Sequence, residues 1–283
     1  MSNTNTGNTV KAYRPDIDGL RALAVLFVVA YHAFPAFFKG CFIGVDVFFV
    51  ISGFLICGII LTSLESNTFS IKGFYRRRIY RLFPALITVL LATMGFGWFS
   101  LFADEYTGLG KHIAGGAGFV ANLVIWQEID YWDIATKLKP LLHLWSLGVE
   151  EQYYIIFPCM LLLAWKKKFK PTTLIAVMLL FSFACNIYYY KRDPGLNFYA
   201  PYTRFWELMV GAFLAAMVKD SGLRLHGAIL HLDYFLARLV FTEKIPNDGR
   251  SVKNLLSVLG ISLLFLAVWF CRADANYPGI YAM

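Results

Sequence analysis

Residues 19–64 read GLRALAVLFVVAYHAFPAFFKGCFIGVDVFFVISGFLICGIILTSL. Two apolar runs, Gly19–Phe38 and Cys41–Leu64, are separated only by Lys39 and Gly40. Each supplies the roughly 20 residues a helix needs to cross a hydrocarbon core of about 30 Å. Runs of the same kind recur at Leu82–Leu101, Leu141–Trp165, Thr172–Tyr190, Phe205–Val218 and Leu255–Phe270, the last two being short. The expected fold is an all-α integral membrane protein, a polytopic bundle of about seven transmembrane helices in this chain.

Composition agrees. Hydrophobic residues make up 58% of the 283 and charged residues 16%, with a mean hydropathy of +0.58, against about 45–50% and about 25% in a soluble domain. Aromatic residues at 17% suit a surface that meets lipid and both interfaces. Cys41, Cys57, Cys159, Cys185 and Cys271 sit mostly in apolar runs without metal-ligand spacing. They read as small core residues, and no metal site is expected. The net charge of +8 is clustered between apolar runs, which suits a cytoplasmic leaflet and argues against a nucleic-acid partner. Residues 1–18 are polar and read as a cytoplasmic tail, with no cleavable signal before the membrane domain of 19–283.

Lys and Arg in the short loops set the expected orientation. Lys11 and Arg14 place the N-terminus inside; Lys72, Arg76, Arg77, Arg78 and Arg81 place the connection between the second and third runs inside. Asp104 and Glu105 fall outside, and Lys166, Lys167, Lys168 and Lys170 inside again. One crossing therefore fits between Asp104 and Lys166, and Leu141–Trp165 takes it. The stretch Gly108–Trp126 is apolar but opens with Lys111 and His112 and is weakened by Gly115, Gly116 and Gly118. It is expected to be re-entrant or interfacial on the outer side. Arg192–Arg204 then lies outside, Lys219–Lys253 inside, and the C-terminus outside. The run NYPGIYAM closes the chain without a polar tail and predicts a membrane domain that is incomplete at its C-terminus.

Ionisable groups within spans are costly and are functional candidates by default. The first span carries Arg21 and His32, and His32 lies about 20 Å along the axis, in the outer half. Asp46 sits near the outer end of the second span, at a depth where contact with His32 is expected. The fourth span opens with PLLHLWSLGVEEQYYIIFP, in which His143, Ser146 and Glu150 share one face, with Glu151 about 100° round. Such a stripe must line a cavity or a helix contact rather than lipid. Arg204 and Glu207, at i, i+3, are expected to pair. On the inner side GFYRRRIYRLFPAL brings Arg78 and Arg81 within one turn, an arrangement that suits phosphate but also serves as an ordinary topogenic signal.

Five segments taken in order, YRPDIDGLRALAVLFVVAYH, GVDVFFVISGFLI, FYRRRIYRLFPAL, HLWSLGVEEQYYIIFP and TRFWELMVGA, resemble the membrane-bound acyltransferase-3 family, the O-acetyltransferases of bacterial surface polysaccharides. The resemblance runs from Tyr13 to the C-terminus. A basic residue, ten others and a His in the family's first helix correspond to Arg21 and His32, and its Arg-x-x-Arg to Arg78 and Arg81. The resemblance implies acetyl-CoA as donor, a cell-surface polysaccharide or lipid-linked glycan (such as O-antigen or peptidoglycan) as acceptor, and a multi-pass location in the bacterial inner membrane. It also implies further helices after Tyr277-Pro278-Gly279 and, in many members, a periplasmic hydrolase-like domain that this chain does not carry.

The expected mechanism follows from both readings. Arg78 and Arg81 hold CoA, while His32 accepts the acetyl group or acts as general base for a sugar hydroxyl. Asp46 or Glu150 orients the imidazole; Arg21, His143, Ser146, Glu151, Arg204 and Glu207 support the site. A transporter of an anionic substrate or of protons needs the same seam, and an inactive truncated remnant is the third reading.

Overall fold

A computed structural model of the protein describes residues 14–128, 139–220 and 250–271. Most of the expected cytoplasmic tail, the basic stretch between Asp220 and Arg250, and Tyr277-Pro278-Gly279 lie outside the described residues. Among the described residues every regular element is helical: α1 (Pro15–Ala33), a 3-10 turn (Cys41–Ile43), α2 (Gly44–Glu65), α3 (Ile71–Ser100), α4 (Ala103–Ala117), α5 (Ala121–Gln127), α6 (Leu144–Lys166), α7 (Pro171–Tyr189), α8 (Pro194–Tyr199), α9 (Pro201–Asp220) and α10 (Arg250–Phe270).

Helix ends follow local chemistry more than hydropathy. Pro15 occupies the first turn of α1, where its missing N–H costs nothing, and Phe34 leaves helical geometry just before Pro35. The helix therefore spans Pro15–Ala33 rather than Gly19–Phe38. Ser70 caps α3, its Oγ accepting from the Gly73 N–H at 3.2 Å. The arginines from Arg76 to Arg81 thus belong to a helix of 30 residues rather than to a loop.

Among the described residues, five helical segments are long and apolar enough to cross a membrane: Cys41–Glu65, Ile71–Ser100, Leu144–Lys166, Pro171–Tyr189 and Val252–Phe270. The other two of the seven expected spans, α1 and α9, are helices of 19 and 20 residues that carry Asp16, Asp18 and Arg21, and Arg204, Glu207 and Lys219.

Side-chain contacts fix the directions. Ser52 of α2 meets Glu150 of α6, and Phe49 meets Trp145. Asp46 meets Arg204 at one end of α2 and α9, and Glu65 meets Lys219 at the other. Helices α2, α6 and α9 therefore run parallel. Tyr75 of α3 donates to the Ile155 carbonyl and Arg78 to Glu151, so α3 is antiparallel to α6. On α7, Ser182 and Asn186 meet Trp206 and Thr203 of α9, again antiparallel.

The α2–α9 crossing forms the centre of the bundle because two glycines permit it. A Cβ on Gly53 would sit 1.8 Å from the Leu208 carbonyl oxygen, and one on Gly211 1.9 Å from that of Val50.

Helices α4 and α5 form a hairpin. Helix α4 folds back along α3, with Leu109 beside Gly97 and Gly116 beside Leu90. The chain turns at Gly118-Phe119, where Phe119 adopts φ 56°, and α5 returns so that Glu128 meets His112. The hairpin leaves from the end of α3 and delivers the chain to the start of α6 at the same end of the bundle. Gly108–Trp126 thus makes no net passage along the bundle, consistent with a re-entrant segment. Its glycines serve close packing: a Cβ on Gly116 would lie 2.7 Å from Leu144 Cδ1.

Candidate active site

Three helix ends converge on one end of the bundle: the last turn of α1, the first turn of α2 and the first turn of α6. His32 closes α1 and is exposed. Its Nδ1 lies 2.8 Å from the Val28 carbonyl oxygen. A carbonyl only accepts, so Nδ1 carries the proton and the neutral ring keeps its lone pair on Nε2. Tyr31 packs edge-on against the ring. His143, at the head of α6, hydrogen-bonds the backbone of Pro140 and lies close enough to His32 for the two imidazoles to interact electrostatically.

From His143 a polar stripe descends α6. Ser146 Oγ bonds back to the His143 carbonyl at 3.2 Å. One turn further, Glu150 Oε1 accepts from Ser52 Oγ of α2 at 2.5 Å and from the Tyr154 hydroxyl. Arg78 of α3 closes the stripe from the other side. Its guanidinium lies over the Tyr154 ring, 3.6 Å from the centroid, and its Nη2 donates to Glu151 Oε1 at 2.7 Å. His143 is exposed, Ser146 and Glu150 are half-buried, and Tyr154 is buried. The stripe thus runs from exposed His143 to buried Tyr154, with Arg78 of α3 against its inner end.

Beside the stripe stands a second charged group. Arg204 of α9 is fully buried; it donates to Asp46 Oδ1 at 2.7 Å and lies 3.0 Å from Glu207 Oε1, the pair its i, i+3 spacing predicts. Phe49, Trp145 and Phe198 surround the guanidinium at 5.4 to 5.7 Å. Burying a lone cation here would be costly; two carboxylates and three ring faces stabilise it.

Several expected contacts come out differently. Asp46 meets Arg204, because α9 runs parallel to α2 and presents Arg204 at the same depth. Arg78 and Arg81 do not act as a free pair: Arg78 faces the bundle and is engaged by Glu151, whereas Arg81, three residues on, is exposed with no ion pair among the described residues. Arg21 lies at the opposite end of α1 from His32, about 16 Å away at 1.5 Å per residue, 3.6 Å from Asp18. Ser52 and Tyr154 join the site without having been expected there. Tyr154 follows Glu150 by four positions, a signal the sequence held; only tertiary packing assigns Ser52. On the hairpin, Glu128 Oε2 meets His112 Nε2 at 2.6 Å and Lys139 Nζ at 2.9 Å. Burial pushes the Glu128 carboxyl up, but these two partners outweigh it and hold it below the usual range. No cluster of metal-ligating residues occurs among the described residues.

A family model described as an acyltransferase domain matches residues 14–276. Peptidoglycan O-acetyltransferase OatA of Listeria monocytogenes is 38% identical over 294 residues, covering 96% of this chain and 45% of that protein. A putative peptidoglycan O-acetyltransferase of Bacillus subtilis, YrhL, is 36% identical over 278 residues, covering 95% of this chain and 40% of its own length. An uncharacterised protein of Haemophilus influenzae is 41% identical over 246 residues and is itself covered to 91%. The chain thus spans less than half the length of the two relatives named as acetyltransferases. No solved structure matches it. With the family model covering almost the whole sequence and the relatives well above 30% identity, the chain belongs to the acyltransferase-3 family of acyltransferase domains.

Proposed function

We propose that the protein is a membrane-bound O-acyltransferase of the bacterial inner membrane that moves an acetyl group from cytoplasmic acetyl-CoA to a hydroxyl of a cell-surface polysaccharide on the outer face. The observation that carries this reading is the polar stripe of α6. A histidine whose Nδ1 is tied to its own helix stands at the same end of the bundle as the head of the stripe, and hydroxyl and carboxylate groups continue along α6 to the half-buried Arg78. That combination serves acyl transfer, in which a base takes the acceptor proton and donors stabilise charge on the acyl oxygen.

His32 is assigned as the general base or acyl carrier, with His143 at the same end of the bundle. Glu150, held by Ser52 and Tyr154, balances charge along the stripe. Asp46, Arg204 and Glu207 position α2 against α9 and hold the aromatic wall. Arg78 carries a buried Nε–H with no hydrogen-bond acceptor among the described residues, which suits a carbonyl or thioester oxygen entering from the donor side. The exposed Arg76, Arg77 and Arg81 suit CoA phosphates. A polysaccharide acceptor is supported by the relatives named as peptidoglycan O-acetyltransferases; the N-terminus inside is supported by the Lys and Arg of the short loops.

Purified protein in liposomes, supplied with radiolabelled acetyl-CoA and a soluble peptidoglycan fragment, tests the reading. Label on the fragment or on the protein is expected. Uptake of label without CoA release would identify a transporter instead, and the absence of both transfer and uptake would mark an inactive chain.

A further inference from the structure

The proposed transfer has a charge consequence that the polar stripe of α6 addresses. The inference rests on the O-acyltransferase reading. In acyl transfer the acceptor O–H bond and the thioester C–S bond break, and an ester O–C bond and a thiol S–H bond form. With the donor on one face and the acceptor on the other, the proton lost by the hydroxyl starts on the outer face and the thiolate that needs one leaves on the inner face. If the hydroxyl proton were released outside and the thiolate took one from inside, each turnover would carry one positive charge outward. An inside-negative membrane opposes that movement by about 50-fold in equilibrium constant per 100 mV.

We propose that the polar stripe of α6 returns the acceptor proton inward, so that transfer is electrically neutral. His143, Ser146, Glu150 and Tyr154 follow one another at three- and four-residue steps, within an arc of about 80° on the helix. Exposure falls along that order, from the open His143 to the buried Tyr154. Helix α6 contacts α2, α4, α5, α7, α8 and α9, so the stripe runs along a helix packed into the bundle. His32, at the same end of the bundle as His143, takes the hydroxyl proton as the ester bond forms. The proton passes down the stripe to Glu150, the carboxylate at which the hydroxyls of Ser52 and Tyr154 converge. Glu150 then protonates the departing sulfur. The charged groups that face Glu150 are Arg78, which interacts with it electrostatically, and Glu151, which Arg78 already neutralises. Glu150 is therefore the carboxylate left to carry the proton.

The experiment uses liposomes of the full chain with acetyl-CoA outside and a soluble peptidoglycan fragment inside, together with an entrapped pH dye in weak buffer. Only molecules whose donor side faces outward turn over, so mixed orientation does no harm. Ester formation without lumenal acidification, at a rate unmoved by a potassium–valinomycin potential, is the expected result. One proton released into the lumen per ester, or a rate that follows the potential, overturns the proposal while leaving the transferase reading intact. No ester at all removes that reading and this inference with it. Glu150→Gln is expected to slow turnover at least about 10²-fold and to convert what remains to one lumenal proton per ester. If that variant is too slow to read, Ser146→Ala, which removes one step without removing a charge, is expected to show partial lumenal release. Unchanged neutral transfer in a variant that turns over overturns the α6 route.

Discussion

His32 reaches its chemistry through its own backbone. Because Nδ1 is tied to the Val28 carbonyl, the tautomer is set without any carboxylate partner, and Nε2 stays available. His32→Ala is expected to reduce acetyl transfer by about 10²–10⁴-fold, the span typical of a lost general acid or base, with protein level and membrane insertion unchanged. His143→Ala is expected to cost less, since His143 passes on a proton but does not meet the acceptor hydroxyl. Turnover assays on both variants at equal protein decide it, and retention of more than about a tenth of turnover in His32→Ala would move the catalytic role to the His143, Ser146 and Glu150 face. The two arginines of the Arg-x-x-Arg motif separate in the same way. Arg78 belongs to a half-buried ion pair, so Arg78→Ala leaves Glu151 without its partner and is expected to destabilise the fold by about 3 kcal/mol. Arg81→Ala is expected to leave stability unchanged and to raise the KM for acetyl-CoA, most visibly at low ionic strength, where exposed charge contacts are least screened. Thermal unfolding in detergent read beside acetyl-CoA kinetics distinguishes the two; equal behaviour would mean both residues only set topology.

The α2–α9 pair is the element on which the site depends. Where Gly53 and Gly211 meet opposing carbonyls, the helices have no room for a methyl group, and their close approach is what brings Asp46 to Arg204. Gly53→Ala is expected to force the helices apart and to lower stability by roughly 1–3 kcal/mol, with activity lost in parallel. Gly58 lies on the same helix, and a methyl group placed there would meet nothing within 4 Å. Gly58→Ala is therefore expected to be neutral or slightly stabilising through helix propensity. Fluorescence-detected thermal stability of the two variants measures the difference. If both behave alike, small-residue packing does not hold this crossing.

At the scale of the whole molecule, the parallel run of α2, α6 and α9 and the α4–α5 hairpin predict which loops share a side. In a background freed of the five native cysteines, Cys at Thr107 and at Pro194 is expected to react with a membrane-impermeant reagent in intact cells. Cys at Thr68 is expected to react only after permeabilisation. Both outer positions are exposed in the structure, so protection cannot be mistaken for burial. Labelling of Pro194 from the inside would mean that the α4–α5 hairpin crosses fully.

Much of this arrangement was legible in the sequence, because transfer of apolar residues into lipid is a local property summed along the chain. The runs around α2, α3, α6 and α7, the His32 position and the α6 stripe follow from such sums and from helical spacing. Glycines in Gly108–Trp126 and the charge balance on either side already argued against a simple crossing there. Helix ends were less legible: Pro15, Pro35 and Ser70 overrode hydropathy through backbone geometry and capping. What only the tertiary structure decided is which buried charge meets which. By depth alone Asp46 could have paired elsewhere, and Arg78 could have stayed exposed like Arg81. The outcome depended on α9 running parallel to α2 at glycine contact distance and on α3 running antiparallel to α6. Buried ion pairs are fixed by separations of about 3 Å between groups far apart in the chain, and no one-dimensional periodicity carries that information.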